Sequence, residues 1–159
     1  MAKRSAGLLM FRGQGSDLQV FLVHPGGPFW QKKDLGAWML PKGEYGDRED
    51  PWTAAKREFE EETGTRPAGE FIPLGEVQQT GGKTVVAWAF EGDLDPAKLK
   101  SNSFRMEWPP KSGQTREFPE VDRGEWFPLP AARQKILPSQ LPFLDRLQKM
   151  ISATSAPLR

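Results

Sequence analysis

Cysteine is absent from this 159-residue chain. That excludes disulfides and thiolate metal sites together. Histidine is nearly as scarce, with His24 alone. A Ser-His-Asp hydrolase would have to use it, and no G-x-S-x-G nucleophile elbow occurs in the sequence. His24 closes an apolar run before Pro25, where a structural or exposed role outweighs a catalytic one. Neither sign of charge dominates either: 22 Lys and Arg against 21 Asp and Glu leave a net +1. The strong basic excess of a nucleic-acid-binding surface is missing, so no nucleic-acid partner is indicated. No run of 18 apolar residues exists, which rules out a membrane-spanning helix. The opening MAKRSAGLLMFRG is too short in its apolar part for a signal peptide, and Arg12 interrupts it. It reads as a strand, and the expectation is a cytoplasmic protein. There is no internal repeat.

What is present fits one domain with a sizeable core. Ala6 to Phe11 and Gln19 to His24 are apolar runs around a turn at Gly13, Gly15 and Asp17, the pattern of a hairpin. Residues 26 to 36 read as a loop leading into Trp38-Met39-Leu40. Phe71 to Gln79 and Lys83 to Glu91 predict two more strands around Gly81-Gly82. In the second, Val86, Trp88 and Phe90 alternate with Val85, Ala87 and Ala89, so both faces are apolar and both should be covered. Residues 92 to 120, with Pro96, Pro109, Pro110, Gly113 and Pro119, read as an irregular stretch; loops this long are often functional. Trp126 to Leu129 predicts the last strand. Leu141, Leu144, Leu147 and Met150 or Ile151 give a closing amphipathic helix. The domain is expected over residues 1–151, with a frayed tail from Ser152.

The most informative segment is GEYGDREDPWTAAKREFEEETGT, residues 43–65. Asp50 is placed to cap a helix, Pro51 suits its first position, and Gly64 supplies a left-handed terminator. Trp52, Ala55 and Phe59 form the apolar stripe that anchors it. Beside that stripe Glu58, Glu61 and Glu62 project together, at i, i+3 and i+4. Like charges at this spacing repel unless a cation sits among them. Carboxylate oxygens suit hard ions, and Mg²⁺ is usually held by one or two carboxylates plus substrate phosphates. A Glu-rich helix taken alone is more often a solvated face. The full pattern changes that balance. It runs from Gly43 to Glu49, then Arg57-Glu58, Glu61-Glu62 and Gly64. Seven identities, each used at roughly 5–7% of positions, match by chance on the order of once in 10⁹ starts.

This segment resembles the Nudix box, and the chain is identified on it as similar to the Nudix hydrolase superfamily. The one departure is Thr65, where the family prefers an aliphatic residue. The resemblance implies an α/β (α+β) fold with a mixed β-sheet between helices, a Mg²⁺ (or Mn²⁺) cofactor, and hydrolysis of a nucleoside diphosphate linked to another group. It implies that Glu61 and Glu62 are the principal metal ligands and that Glu58 is a ligand or the base. Arg57 would orient the acidic cluster, with Glu49 as its loop partner; an ordinary ion pair from Arg57 to Glu61 is the plainer reading and is compatible with it. Gly43 would let backbone approach the metal. A further catalytic glutamate before the last strand is expected at Glu120, with Glu117 and Glu125 as competitors.

Trp38-Met39-Leu40-Pro41-Lys42-Gly43 looks like the W-x-x-P-K-G segment of diadenosine polyphosphate hydrolases, whereas many relatives have P-G-G there. A dinucleoside polyphosphate such as diadenosine tetraphosphate is therefore the expected substrate. The alternatives are a nucleoside triphosphate, a nucleotide sugar, or a non-enzymatic nucleotide-binding module; such modules usually lose box carboxylates that this chain keeps. Lys42, Lys83, Arg105, Lys111 and Arg116 are candidates to contact polyphosphate. Trp30, Trp38, Trp88 and Trp108 are candidates to stack a base, although core packing is the first expectation for Trp52, Trp88 and Trp126.

Overall fold

The computed structural model describes residues 3–79 and 81–154. Its centre is a mixed sheet in the order β4-β5-β1-β2-β8, formed by Phe71–Gln78 (β4), Thr84–Glu91 (β5), Arg4–Arg12 (β1), Gln19–Pro25 (β2) and Val121–Pro128 (β8). A short strand, Lys42–Glu44 (β3), pairs with β1 off this path. β1 and β5 run parallel, and the other pairs are antiparallel. Helices Leu129–Lys135 (α2) and Leu141–Thr154 (α3) lie on one face, and Pro51–Thr63 (α1) on the other. No described helix is long and apolar enough to cross a membrane.

The alternation of β1 and β5 explains the sandwich. Leu8 and Met10 enter the core under α1 with Ala54, Ala55 and Phe59. Leu9 and Phe11 enter the core under α2 and α3 with Phe143, Leu144 and Leu147. In β5 the same division separates Val86, Trp88 and Phe90 from Val85, Ala87 and Ala89. Both faces of the central strands are thus covered, as their continuous apolar character predicts.

One detail of the sheet creates the site. β1 and β2 pair only near their shared turn, at Phe11↔Val20 and Arg12↔Gln19. Toward the other end they diverge, and residues 39–44 fill the gap. Met39 bridges to Val23 of β2, while Lys42 and Gly43 pair with Gly7 and Ala6 of β1. Gly7 permits this wedge, because a Cβ there would lie 2.4 Å from Leu40 Cδ1 and 2.5 Å from the Pro41 carbonyl oxygen. The wedge carries Lys42 and Gly43 to the edge of α1.

Four segments differ from the sequence reading. The stretch 92–120 is not wholly irregular. It holds a 3₁₀ turn at Pro96–Lys98 and a separate hairpin, Ser103–Glu107 (β6) with Thr115–Pro119 (β7). Both strands are short and mostly exposed, and prolines flank them, so their alternation is faint. The last strand begins at Val121, five residues before Trp126, because polar residues such as Asp122 and Arg123 face outward on this edge strand. α2 has no counterpart in the reading: it is seven residues long and starts at a proline pair. α3 continues through Thr154, past the expected start of the tail; residues 155–159 of that tail lie outside the described residues.

Candidate active site

Helix α1 forms where its punctuation says it should. The Asp50 side chain accepts from the Thr53 amide at 3.1 Å, and Gly64 ends the helix at φ 78°. Phe59 and Ala55 are fully buried, so the rotation of the helix is fixed. Burying a Phe of this kind contributes about 1.5–3 kcal/mol, enough to hold the acidic face in one orientation.

On that face Arg57 is the organiser. Its Nε and Nη2 donate to the two oxygens of Glu49, each at 2.8 Å, a bidentate pair. Its Nη1 donates to Glu58 at 2.7 Å and to Glu61 at 3.2 and 3.3 Å. The cluster-orienting role and the i,i+4 ion pair are thus geometrically compatible, since one guanidinium serves three carboxylates. The hydrogen bonds it donates to Glu49 first, then those to Glu58 and Glu61, push Arg57 further above its ordinary range. Glu49 is held below the ordinary carboxylate range by Arg57.

Glu62 stands apart from this network. It is only 7% exposed. Burial pushes its carboxyl well up; the charges of Glu58 and Glu120 add to that, and Lys42 opposes it with its side-chain charge and its backbone N–H bond. Burial likewise raises Glu58, against the hydrogen bond from Arg57 and with help from Glu61 and Glu120. Lys42 is depressed by burial first; Glu62 counters and nearby Lys83 adds to the depression. For Lys42 and Glu62 alike, desolvation outweighs their mutual attraction.

The residues present fit a hard divalent cation by two observations. The donors are carboxylate oxygens, in excess of the cationic groups facing them. Gly43 also leaves its backbone against Glu58: a Cβ there would sit 2.0 Å from Glu58 Cδ, so only glycine brings this carbonyl-bearing turn so close. Among the described residues no three Asp, Glu or His side chains already converge in a metal cage.

The remaining candidates are distributed as follows. Glu120 lies just before β8, exposed, and its charge acts on both Glu58 and Glu62. Glu117 is paired across the hairpin with Arg105. Glu125 sits mid-strand in β8 opposite Leu22, in a cleft with Arg12, Asp93 and Trp126. Lys83 is exposed in the β4–β5 turn, within electrostatic reach of Lys42. Arg105, Lys111 and Arg116 are all exposed on or beside the hairpin.

Trp38 requires a correction as a base-stacking residue. It is 2% exposed, packed edge-on against His24 at 5.1 Å and Phe127 at 5.0 Å, with its indole N–H donating to Asp34. It has no free face, and its bridge to Ile136 makes it a core residue of the wedge. Trp88 packs against Trp52 at 5.1 Å. His24 is structural: fully buried, its Nε2 donates to the Lys33 carbonyl at 2.6 Å and its Nδ1 meets Asp122 at 2.9 Å. Phe104 and Met106, which the sequence reading does not single out, line a pocket with Glu120. The alternation Ser103-Phe104-Arg105-Met106-Glu107 was the signal that could have found them.

Comparison with known proteins places this geometry in a family. A model of the NUDIX domain matches residues 1–147. An RNA pyrophosphohydrolase of Rhodopseudomonas palustris (strain BisB18) is 26% identical over 161 aligned positions, covering 92% of this chain and 86% of that protein. An octanoyltransferase of Myxococcus xanthus is 29% identical over 133 positions; the match takes in 84% of this chain and a third of the relative's length, 33%. Among solved structures, an Ap4A hydrolase binary complex from C. elegans superimposes with a TM-score of 0.63 at 20% identity, covering 96% of this chain and 99% of that one. With the box residues assembled on one helix and its adjoining loop, the chain belongs to the NUDIX family and is a Nudix hydrolase.

Proposed function

We propose that this chain hydrolyses a phosphoanhydride bond in a nucleoside diphosphate linked to another group, and that its preferred substrate is a dinucleoside polyphosphate such as diadenosine tetraphosphate. The observation that carries the reading is the juxtaposition of opposite charges on a rigid frame. Glu58, Glu61 and Glu62 form one helix face; Lys42 is within electrostatic reach of Glu58 and Glu62, and Lys83 is within reach of Lys42. Nudix hydrolases generally use divalent metal ions. Glu58, Glu61 and Glu62, with the Gly43 backbone, would hold Mg²⁺ or Mn²⁺, which when bound neutralises phosphate charge and lowers the pKa of water. Lys42 and Lys83 would bind phosphate oxygens. Glu58 or Glu120 would accept the proton of the attacking water. Arg57 and Glu49 keep the carboxylates in register while the substrate binds. Four phosphates offer these groups more anionic oxygens than three. The likeness to the C. elegans Ap4A hydrolase and the Pro41-Lys42-Gly43 segment support this choice.

A second reading has its own support: three RNA pyrophosphohydrolases are 26–28% identical over 92–95% of this chain. On that reading the substrate is the 5′-triphosphate end of an RNA. One experiment separates the two. It compares kcat/KM with Mg²⁺ for diadenosine tetraphosphate, ATP, ADP-ribose and a 5′-triphosphorylated RNA oligonucleotide, with products identified. The dinucleotide should lead. A tenfold advantage for any other substrate, about 1.4 kcal/mol of transition-state preference, would refute the substrate choice and leave the reaction class standing.

A further inference from the structure

The 3₁₀ turn between α2 and α3, Pro138–Gln140, is flanked by Ile136 and Leu141, which pack into the core opposite α1. Two of its side chains nevertheless hold the two segments that carry Lys42 and Lys83. Gln140 is fully buried, a place where glutamine is uncommon. Its Oε1 accepts from the Leu40 amide at 3.1 Å, 100 positions away in sequence. Leu40 lies in the wedge between two ladders, with Met39 bridged to Val23 and Lys42 paired with Gly7. Ser139, next to Gln140, accepts through Oγ from Gln79 Nε2 at 3.0 Å. Gln79 closes the β4–β5 turn, its amide donating to the Lys83 carbonyl at 2.7 Å.

A glutamine is costly at this position. Among the described residues its Nε2 meets no hydrogen-bond partner, and a buried donor left unpaired destabilises the fold. The Leu40 N–H requires an acceptor, which turns the amide oxygen toward the wedge and leaves the nitrogen on the other side. A methionine would pack here without the orphaned donor, but it would strand the Leu40 amide. The anchor itself is held by backbone. The Leu137 amide donates to the Trp38 carbonyl at 2.8 Å, the Trp38 amide to the Lys135 carbonyl at 2.9 Å, and the Gln140 amide to the Leu137 carbonyl at 2.9 Å. Phe143 and Leu144, just after the turn, are fully buried. Leu40 is separated from Lys42 by about 7 Å of extended chain, so a displacement at Leu40 is passed on to Lys42.

Resting on the reading above in which Lys42 and Lys83 bind phosphate, we infer that the Pro138–Gln140 turn is a clamp that sets these two lysines relative to each other, with Gln140 as the positioning residue for Lys42 and Ser139 for Lys83. The two ammonium groups act on each other, and like charges drift apart unless their backbones are restrained. A phosphate chain gains from both only if both are in place before it arrives. The clamp supplies that restraint from the opposite side of the sheet. Gln140 is buried and touches no substrate, so its whole effect runs through Leu40 and the wedge.

The test is a double-mutant cycle on the full chain with Mg²⁺. Gln140→Met keeps the volume of the side chain and removes the acceptor. On the best substrate of the panel above it should lower kcat/KM by at least about tenfold in the wild-type background, but by less than about threefold where Lys42→Ala has already removed the phosphate contact. Ser139→Ala, at a half-buried position, is the second variant; it should lower kcat/KM by about threefold alone and cause no further loss in a Lys83→Ala background. General destabilisation would cause the same loss in both backgrounds, and urea titrations check that each variant is folded. Amide ¹H–¹⁵N spectra without substrate give a second readout: Lys42 and Gly43 should move in Gln140→Met, and Lys83 in Ser139→Ala. Equal losses in the two backgrounds, unchanged kcat/KM, or unmoved Lys42 and Lys83 amides in folded variants overturn the inference. A wild-type protein that hydrolyses none of the panel would instead remove the proposed function, and the amide spectra would still decide the clamp.

Discussion

Replacing Gly43 by alanine isolates the close approach between the wedge and α1. The added Cβ would lie 2.0, 2.1 and 2.4 Å from Glu58 Cδ, Oε1 and Oε2. Ordinary carbon contacts are about 3.5–4.0 Å, so one partner must retreat by roughly 1.5 Å. Gly43 has no positive φ, so alanine meets no backbone penalty and the effect is steric. Glu58 is not a free chain end, because Arg57 holds it at 2.7 Å and its side chain is only 13% exposed. Moving it disturbs the Arg57 network; moving the wedge shifts β3 off β1. Overpacking of this size costs about 1–3 kcal/mol, and a misplacement near 1 Å at a reacting centre lowers turnover by about 10²-fold. The measurements are kcat for diadenosine tetraphosphate with Mg²⁺ and stability by urea titration. The stability cost should shrink below about 0.5 kcal/mol in a Glu58→Ala background, where the clash is gone. A Gly43→Ala protein with kcat within threefold of wild type, or an equal stability cost in both backgrounds, would refute the argument.

Other outcomes follow from the same site. Glu61→Gln and Glu62→Gln should each lower turnover by at least roughly 10²-fold with unchanged circular dichroism; full activity in either, or in EDTA, removes the metal assignment. Arg57→Ala should lose at least about tenfold in kcat, because Glu49, Glu58 and Glu61 lose their common donor, and Arg57→Lys should not restore it, since a lysine cannot make the bidentate pair. Millimolar Mg²⁺ should raise the Tm at low salt, by about 2.7 kcal/mol of stability when it reaches 100 times its Kd, and Glu62→Gln should abolish the shift. Without divalent cation, Glu58 and Glu62 bind protons more tightly folded than unfolded. Their contribution is therefore full below the ordinary glutamate value of 4.5 and is lost as pH rises through the raised values. Glu49 and Asp34 work in the opposite sense and weaken the fold only at more acid pH. Urea titrations in EDTA should show wild-type stability falling as pH rises above the ordinary glutamate value of 4.5, relative to Glu62→Gln; parallel curves would contradict this.

Local signals make α1 legible in the sequence alone. Asp50, Pro51 and Gly64 mark its ends, and the Phe59 stripe and carboxylate stripe fix its faces, all within fifteen residues. β1, β2, β4 and β5 were readable for a similar reason, as apolar runs bounded by glycine. What remained hidden depends on distant contacts. Trp38 carries the same side chain whether it stacks a ligand or fills a core, and only its neighbours His24 and Phe127 decide. Glu117, Glu120 and Glu125 are all loop or strand carboxylates within nine residues; pairing separates them, setting Glu117 opposite Arg105 in the hairpin, Glu120 just before β8 and Glu125 mid-strand opposite Leu22. The β6–β7 hairpin escaped because neither face is fully buried, so alternation hardly registers in hydrophobicity. α2 escaped because seven residues make barely two turns.

The short pairing of β1 with β2 has a practical corollary. Their connecting turn, Gly13 to Leu18, lies about 20 Å along the strand from the wedge at Ala6 and Gly7, at 3.3 Å per residue. Gly15 in that turn has open space around it. A peptide tag, a fluorophore-bearing cysteine or a fused domain placed there would project away from the chemistry. Because the native chain has no thiol, a single cysteine at Gln14 or Ser16 would label one position only. The protein thus offers a reporter site opposite its reactive end, from which substrate docking can be watched without touching it.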